Sequence, residues 1–121
     1  MAHDRRKSEE AGRTAERLAL WYLRLKGWRL LAERYKCSSG EVDLIMRRGD
    51  VTAFIEVKAR KTLDGAIEAV SPRQAKRISA AARHFLLRDS KAALQSCRFD
   101  IVAVSPYHWP KHIENAFDGD Q

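Results

Sequence analysis

The sequence predicts an α/β sandwich in which helices cover a mixed central sheet. Three observations predict it: apolar residues recur at helical spacing in two long segments, three short segments between these alternate apolar and polar residues, and at least one more alternating segment follows the second helix. A chain of 121 residues can bury one core of this kind. We predict a single domain over residues 8–117, with flexible tails at 1–7 and 118–121.

The first helix is predicted over residues 8–26, because apolar residues recur there every three or four positions. Gly27 follows as a helix stop. Residues 28–35 are predicted to form the first strand, although their alternation is imperfect. The loop that follows ends at Gly40.

Two further strands form a predicted hairpin. In residues 41–47 the alternation puts one set of side chains on one face (Val42, Leu44, Met46) and a second set on the other (Glu41, Asp43, Ile45). Residues 48–50 contain Gly49 and Asp50, which favour a tight turn. Residues 51–58 alternate again, so that Glu56 and Lys58 share a face. We therefore expect two antiparallel neighbouring strands.

The second long helix is predicted to begin at Ser71 and Pro72 and to reach Arg88. Serine is a favoured N-cap, and proline fits the first helical turn. Residues 98–104 alternate and predict a fourth strand, and a last short strand is predicted over 112–117. Helix, three strands, helix and one or two strands in this order imply a mixed sheet.

The charge of the chain favours a polyanionic partner. The formal net charge is +7 and the isoelectric point is about 9.8, and such an excess attracts nucleic acid through counterion release. Because no apolar run approaches the roughly 20 residues of a membrane span and the first residues lack an apolar signal segment, we expect a cytoplasmic protein that does not enter a membrane. Cys37 and Cys97 are predicted to be ordinary thiols, since they lack zinc-site spacing.

The basic residues are concentrated in one segment. Residues 71–98 contain seven Lys or Arg and a single acid, Asp89. Arg73, Arg77 and Arg88 fall on one face of the predicted second helix, where they are candidate contacts to phosphate. A solvated helix face would show the same pattern.

Three charges interrupt otherwise apolar strands: Asp43, Glu56 and Lys58. A charge in such a position is costly unless it is paired or holds a metal. Across a tight hairpin, Asp43 lies opposite the region of Glu56, so both carboxylates can offer oxygen to a hard cation such as Mg²⁺. Lys58 would then project beside that cation, where it can orient water and offset phosphate charge. The alternative is a salt bridge from Lys58 to one of the acids on an exposed sheet face.

Several motifs, in order, resemble the YraN family of small bacterial proteins, within the PD-(D/E)xK superfamily of restriction endonucleases and Holliday junction resolvases. They extend from about Gly12 to Phe117 and comprise Gly-Arg-Thr-Ala-Glu at 12–16, Tyr-Leu through Lys-Gly at 22–27, Gly-Glu-Val-Asp-Leu-Ile at 40–45, Phe-Ile-Glu-Val-Lys-Ala-Arg at 54–60, Arg-Phe-Asp at 98–100 and Ile-Glu-Asn-Ala-Phe at 113–117.

This resemblance implies a restriction-endonuclease-like αβββαβ fold with Asp43, Glu56 and Lys58 at the catalytic positions. It also implies that Glu16, on the first helix, contributes to the metal site, which would hold Mg²⁺ or Mn²⁺. The superfamily name implies a proline before the aspartate, whereas this chain has Val42. Junction resolution would require a homodimer, because two sites must act on one junction.

Three functions follow as hypotheses. The first is a metal-dependent endonuclease acting on DNA rather than RNA, plausibly branched or structured DNA, through attack of a metal-activated water on a phosphodiester. The second is a non-catalytic nucleic-acid-binding protein that retains the fold. The third is a structural protein whose strand charges form ion pairs. Asp100 is expected to pair with Arg98 or Arg60 rather than to act in catalysis.

Overall fold

The strands of the described chain form one mixed sheet. The computed structural model describes residues 2–93 and 96–118. Its elements are α1 (Ala2–Leu25), β1 (Arg29–Cys37), β2 (Gly40–Arg48), β3 (Val51–Ala59), α2 (Leu63–Glu68), α3 (Pro72–Arg88), α4 (Ser90–Ala93), β4 (Ser96–Val104) and β5 (Lys111–Ile113). The spatial order follows the chain order; β3 and β4 are parallel, and the other neighbours are antiparallel. The predicted α/β sandwich with a mixed sheet is confirmed.

The element boundaries differ in places from the predictions. The helix α1 begins at Ala2 rather than at residue 8, and β5 covers Lys111–Ile113 rather than 112–117. The short helices α2 and α4 were not predicted, because six and four residues are too few to show a helical period. Met1 and, in the predicted C-terminal tail, residues 119–121 lie outside the described residues.

Helices cover both faces of the sheet. On one face, α1 buries Ala19 and Leu23 against Leu44, Met46 and Ile55. On the other face, α3 buries a second cluster that includes Ile78, Ala82, Phe85, Ile45 and Phe54. Within residues 2–93 and 96–118, no helix is long and apolar enough to cross a membrane.

The connection from β3 to β4 determines where the second helix layer lies. Parallel strands need a crossover, and α2, α3 and α4 form it. The predicted start of α3 is confirmed: the Ser71 hydroxyl accepts from the Gln74 amide at 3.1 Å, the Gln74 side chain accepts from the Ser71 amide, and Pro72 stands in the first turn. The long helix of the crossover therefore begins at a defined residue.

A buried carboxylate joins β4 to the last strand. The side chain of Asp100 is 0% exposed and accepts two hydrogen bonds from Arg98, both at 2.9 Å. Its oxygens also lie 2.7 Å from His112 Nε2 and 2.9 Å from the amide of Asn115, which donates to them. The expected pairing with Arg98 is therefore present, within a larger polar cluster that holds the segment after β5.

Close backbone packing at Gly40 yields a stability prediction. A Cβ at Gly40 would overlap the backbone of Arg77 in α3, whereas a Cβ at Gly12 meets no atom within 4 Å. We expect Gly40→Ala to lower the free energy of unfolding by about 1 to 3 kcal/mol, because β2 and α3 must separate. Gly12→Ala is the matched control and should be neutral or stabilising, since alanine favours helix. Equal melting temperatures for the two variants would contradict the packing.

Candidate active site

Asp43 lies where the backbone pairing of β2 with β3 ends. The ladder extends from Arg48 and Val51 as far as Leu44 and Ile55. Beyond it, the Asp43 carboxylate accepts from the amide of Val57 at 2.8 Å. A side-chain oxygen thus replaces a main-chain acceptor, and this bond fixes the carboxylate between the two strands.

Near the end of this ladder, the structure corrects the predicted face of one residue of β2. Val42 was expected beside Leu44 and Met46, but it packs with Ile45 and Phe54 in the cluster under α3. The strict alternation of β2 therefore fails between Val42 and Leu44. Periodicity could not predict this break, because it depends on the contact of Asp43 with β3.

Glu56 is a buried carboxyl beside Asp43. It is 8% exposed. Burial raises its pKa to about 9, and the charge and hydrogen bonding of Asp43 act in the same direction. The Lys58 ammonium, at 3.6 Å from Oε2, opposes that rise. In the absence of a cation, Glu56 therefore holds a proton at neutral pH.

Glu16 approaches the same place from α1. Its carboxylate accepts from Arg34 Nε at 2.9 Å. Burial raises the pKa of Glu16, Arg34 opposes the rise, and Asp43 adds to it, so Glu16 and Asp43 interact directly. Arg34 itself has a φ of 48°, in the left-handed region that is unusual for arginine.

All four predicted site residues line one cavity of about 340 Å³. Glu16, Asp43, Glu56 and Lys58 share its wall with Arg60. The sequence did not assign Arg34 or Arg60 to this site, since neither stands in an apolar context that would make its charge conspicuous, and Arg60 was considered only as a partner of Asp100. Arg34 reaches the site through the pairing of β1 with β2, which brings Tyr35 beside Val42.

The oxygen donors suit a hard divalent cation. Among the side chains that the structure describes, no three His, Cys, Asp or Glu residues converge closely enough to hold an ion. Mg²⁺ commonly uses only one or two carboxylates and completes its shell with water and substrate phosphate. Asp43 and Glu56 form such a pair, and Glu16 lines the same cavity. A cation there would offset the cost of placing these carboxylates together.

The three arginines predicted to contact phosphate lie elsewhere, on α3. Arg73, Arg77 and Arg88 are exposed, and none of them is among the described residues that line the carboxylate cavity. The backbone of Arg77 packs against Gly40, at the start of the strand that carries Asp43. Arg88 lies about 16 Å further along the helix axis at 1.5 Å per residue.

The pKa of Glu56 yields a prediction on stability against pH. Because its pKa in the folded protein lies above the ordinary value of 4.5, the stability that this group contributes is present below pH 4.5 and is lost as the pH rises toward about 9. Without divalent metal, Glu56→Gln should therefore melt higher than wild type by about 5 °C or more at pH 9. The difference should shrink near pH 4.5.

Melting curves in chelator at several pH values measure this difference. Glu41→Gln is the control, because Glu41 is an exposed carboxylate at the start of the neighbouring strand β2. Because Glu41 is not among the described residues that line the carboxylate cavity, this variant tests whether the effect of Glu56→Gln is specific to the site. A pH-independent difference for Glu56→Gln would contradict the burial of a proton at the site.

Fold and site together define the class of protein. A five-stranded mixed sheet between helices, with two carboxylates and a lysine where β2 and β3 part, is the architecture of restriction-endonuclease-like proteins. Comparison with known families gives the particular family. The model of Uncharacterised protein family UPF0102 matches residues 15–104, and the chain belongs to this family, which is the YraN family that its motifs resemble.

Relatives in several bacteria match nearly the whole chain. A UPF0102 protein of Bartonella tribocorum is 50% identical over 117 residues, which cover 97% of this chain and 90% of the relative. The UPF0102 protein mlr4633 of Mesorhizobium japonicum is 49% identical over 115 residues, covering 95% and 92%. A UPF0102 protein of Methylorubrum extorquens is 50% identical over 114 residues, covering 94% and 89%.

Proposed function

We propose that this protein is a cytoplasmic, Mg²⁺- or Mn²⁺-dependent endonuclease that hydrolyses phosphodiester bonds in DNA, with branched or otherwise structured DNA as its substrate. One observation carries the proposal: Asp43, Glu56 and Lys58 converge on one cavity at the point where two strands separate. Carboxylates beside a lysine are the groups that metal-assisted phosphodiester hydrolysis needs.

Each residue has a separate task in this proposal. Asp43 and Glu56 would bind the cation directly, and Glu16, on α1, would hold it through water. When bound, the cation supplies Lewis-acid chemistry, because it withdraws charge from a phosphoryl oxygen and lowers the pKa of water. Lys58 donates hydrogen bonds that orient the attacking water, and its charge stabilises the negative charge that develops on phosphate.

The ion-pair alternative explains only part of the site. Lys58 does lie 3.6 Å from Glu56, as that alternative requires. A single Lys58 leaves the neighbouring Asp43 carboxylate without a cationic partner of its own, while Arg34 is engaged by Glu16. Three carboxyl groups, those of Glu16, Asp43 and Glu56, meet in one partly buried cavity, and this favours a bound metal over a single structural salt bridge.

The experiment that tests the proposal is a cleavage assay with Mg²⁺, with Mn²⁺ and with chelator. The substrates are linear duplex, single-stranded, flapped and four-way DNA, with one RNA control. We expect nicking that requires metal and favours a structured substrate. Titration calorimetry with Mn²⁺ on wild type and Asp43→Asn measures the site separately. Equal Mn²⁺ affinities, or no cleavage of any substrate, would overturn the metal site or the enzymatic function, respectively.

The basic face of α3 is a separate proposal within this function. If Arg73, Arg77 and Arg88 contact duplex phosphates, replacing all three with alanine should reduce the slope of log affinity against log salt by about 0.9 for each lost contact. Filter binding over a range of salt concentrations measures the slope. Arg29→Ala is a control on an exposed arginine of β1. An unchanged slope in the triple variant would make this face a solvated surface only.

A four-way junction as substrate would add one requirement. Two strands must be cut symmetrically, so two copies of the site must face one junction. We therefore propose a homodimer for that substrate. Sedimentation of the protein with and without junction DNA measures it, and a single copy bound per cleaved junction would contradict the proposed dimer.

A further inference from the structure

A basic groove runs between α1 and β1, the edge strand of the sheet. It encloses about 460 Å³ and is lined by residues that include Arg13, Arg17, Trp21, Arg24, Glu33 and Arg34. Four of the nine described lining side chains are arginines, and two, Glu16 and Glu33, are acidic. The groove is thus cationic although it lies beside an acidic site.

The groove continues into the carboxylate cavity. Glu16 lines both, and a smaller cavity between them is bounded by Arg13, Arg34 and Asp43. The groove therefore adjoins the proposed catalytic residues, and the ion pair of Arg34 with Glu16 lies where the two cavities meet.

Trp21 is the exposed apolar side chain of this groove, because Leu20 and Leu44, which also line it, are buried. It is 64% exposed, while the face of α1 that packs on the sheet consists of other residues, including Ala15, Ala19 and Leu23. The indole is therefore not needed to cover the core. An exposed aromatic ring beside arginines is a platform on which an unpaired base can stack.

The arginines follow the same helix. Arg13, Arg17 and Arg24 are exposed side chains of α1, and Arg13 and Arg24 are separated by about 16 Å along the axis at 1.5 Å per residue. Such a row can follow a phosphate backbone. A duplex would present its phosphates but would hide its base faces from Trp21, so the combination favours a single strand.

We infer that the α1–β1 groove binds a single-stranded nucleic-acid segment, stacks one of its bases on Trp21 and leads its backbone to the carboxylate site. The role of the groove in guiding a substrate rests on the proposed function. The inference narrows that substrate to nucleic acid with an unpaired segment. Binding in the groove itself requires neither metal nor cleavage, so it can be tested separately.

The test is metal-free binding of labelled oligothymidylate, oligouridylate and a duplex, in chelator, by fluorescence anisotropy. Trp21→Ala should weaken single-strand binding by roughly tenfold, the loss of one stacked base at about 1.4 kcal/mol, and should change duplex binding much less. Trp21→Phe should restore most of the affinity. Trp109→Ala is the matched control, because Trp109 is 80% exposed and does not line the groove.

A second variant tests the backbone path. Arg17→Ala with Arg24→Ala should reduce the salt slope for oligothymidylate by about 0.7 for each lost contact. A double replacement of exposed lysines, Lys91→Ala with Lys111→Ala, removes the same charge away from the groove and should leave that slope nearly unchanged. Melting curves establish that each variant is folded.

The outcomes separate this inference from the proposed function. Unchanged oligothymidylate affinity in Trp21→Ala, an equal loss in Trp109→Ala, or an equal loss for duplex would overturn the groove as a single-strand site, even if metal-dependent cleavage is intact. Loss of single-strand affinity in Trp21→Ala alone would support it, even if no substrate is cleaved. Binding of oligothymidylate but not oligouridylate identifies DNA as the ligand, and equal binding of both identifies a site for either nucleic acid.

Discussion

Asp43→Asn combined with Glu56→Gln is expected to reduce cleavage at least about 100-fold while leaving metal-free DNA affinity equal or higher. The first effect follows because both direct ligands of the cation are lost. The second follows because, without metal, the charge of Asp43 repels phosphate and Asp43→Asn removes that repulsion, whereas Glu56 already holds a proton. Rates with Mg²⁺ and binding in chelator, measured on the same DNA, test both effects.

Lys58→Ala is the companion variant, and it removes a positive charge from the cavity instead of a negative one. Cleavage should again be lost, because Lys58 no longer orients water or offsets phosphate charge. Metal-free affinity should stay level or fall slightly, since a positive charge has been removed from the same cavity. The two variants thus agree in rate and differ in the direction of their effect on binding.

The ion-pair alternative predicts a different pattern. Removing either carboxylate would then leave Lys58 partly buried without its partner, and the melting temperature would fall with no particular effect on DNA. Paired melting and binding curves distinguish the two. Loss of stability in the Asn/Gln variant with unchanged binding and no metal-dependent cleavage in wild type would lead us to abandon the active site and retain only the fold.

Asp100→Asn is expected to lower the free energy of unfolding by about 3 to 5 kcal/mol, more than any other single substitution proposed for this protein. Asp100 is fully buried and takes hydrogen bonds from Arg98 and the Asn115 amide, with His112 at 2.7 Å. An amide cannot satisfy all of these donors and leaves Arg98 without its buried counter-charge. Thermal or urea unfolding at neutral pH measures the loss.

The contribution of Asp100 to stability should depend on pH in a definite direction. Burial by itself raises the pKa of Asp100, but the hydrogen bonds from His112, Arg98 and Asn115 outweigh it and leave the pKa below its ordinary value of 3.8. Its contribution to stability is therefore present above pH 3.8 and is lost as the pH falls through the lower, folded-state pKa. The stability gap between wild type and Asp100→Asn should narrow in strong acid.

Glu114→Gln is the control for this cluster. Glu114 is the exposed partner of the same Arg98, at 3.6 Å, and a solvated pair of this kind contributes at most about 1 kcal/mol. A loss of stability as small for Asp100→Asn as for Glu114→Gln would show that the buried cluster does not hold β4 and β5 together.

Much of the local structure could be predicted from the sequence because its causes lie within a few neighbouring residues. The turn at Gly49, with a φ of 60°, follows from residue type, as does the capped start of α3 at Ser71. Short elements were missed for the converse reason. The helix α2 depends on a Thr62 cap and on burial of Ala66, neither of which yields a period.

The residues of the candidate site also divide into those that the sequence indicated and those that it did not. Asp43, Glu56 and Lys58 were conspicuous because charges within apolar strands need a partner, and that cost is visible in the sequence. Glu16 was included only through the resemblance to a family, because an acid on a helix surface is ordinary. Arg34 was not identified at all.

By itself, the sequence determined the order of the two long helices and the strands, the hairpin that brings β2 beside β3, and the charges that need an explanation. Only the tertiary structure decided which groups meet. It brings Glu16 of α1 to Asp43 of β2, pairs Arg34 with Glu16, and forms the groove that contains Trp21 beside the carboxylates. The physical reason is range. Turns, caps and periodicity arise from neighbouring residues, whereas these contacts depend on strand register and on how α1 packs on the sheet.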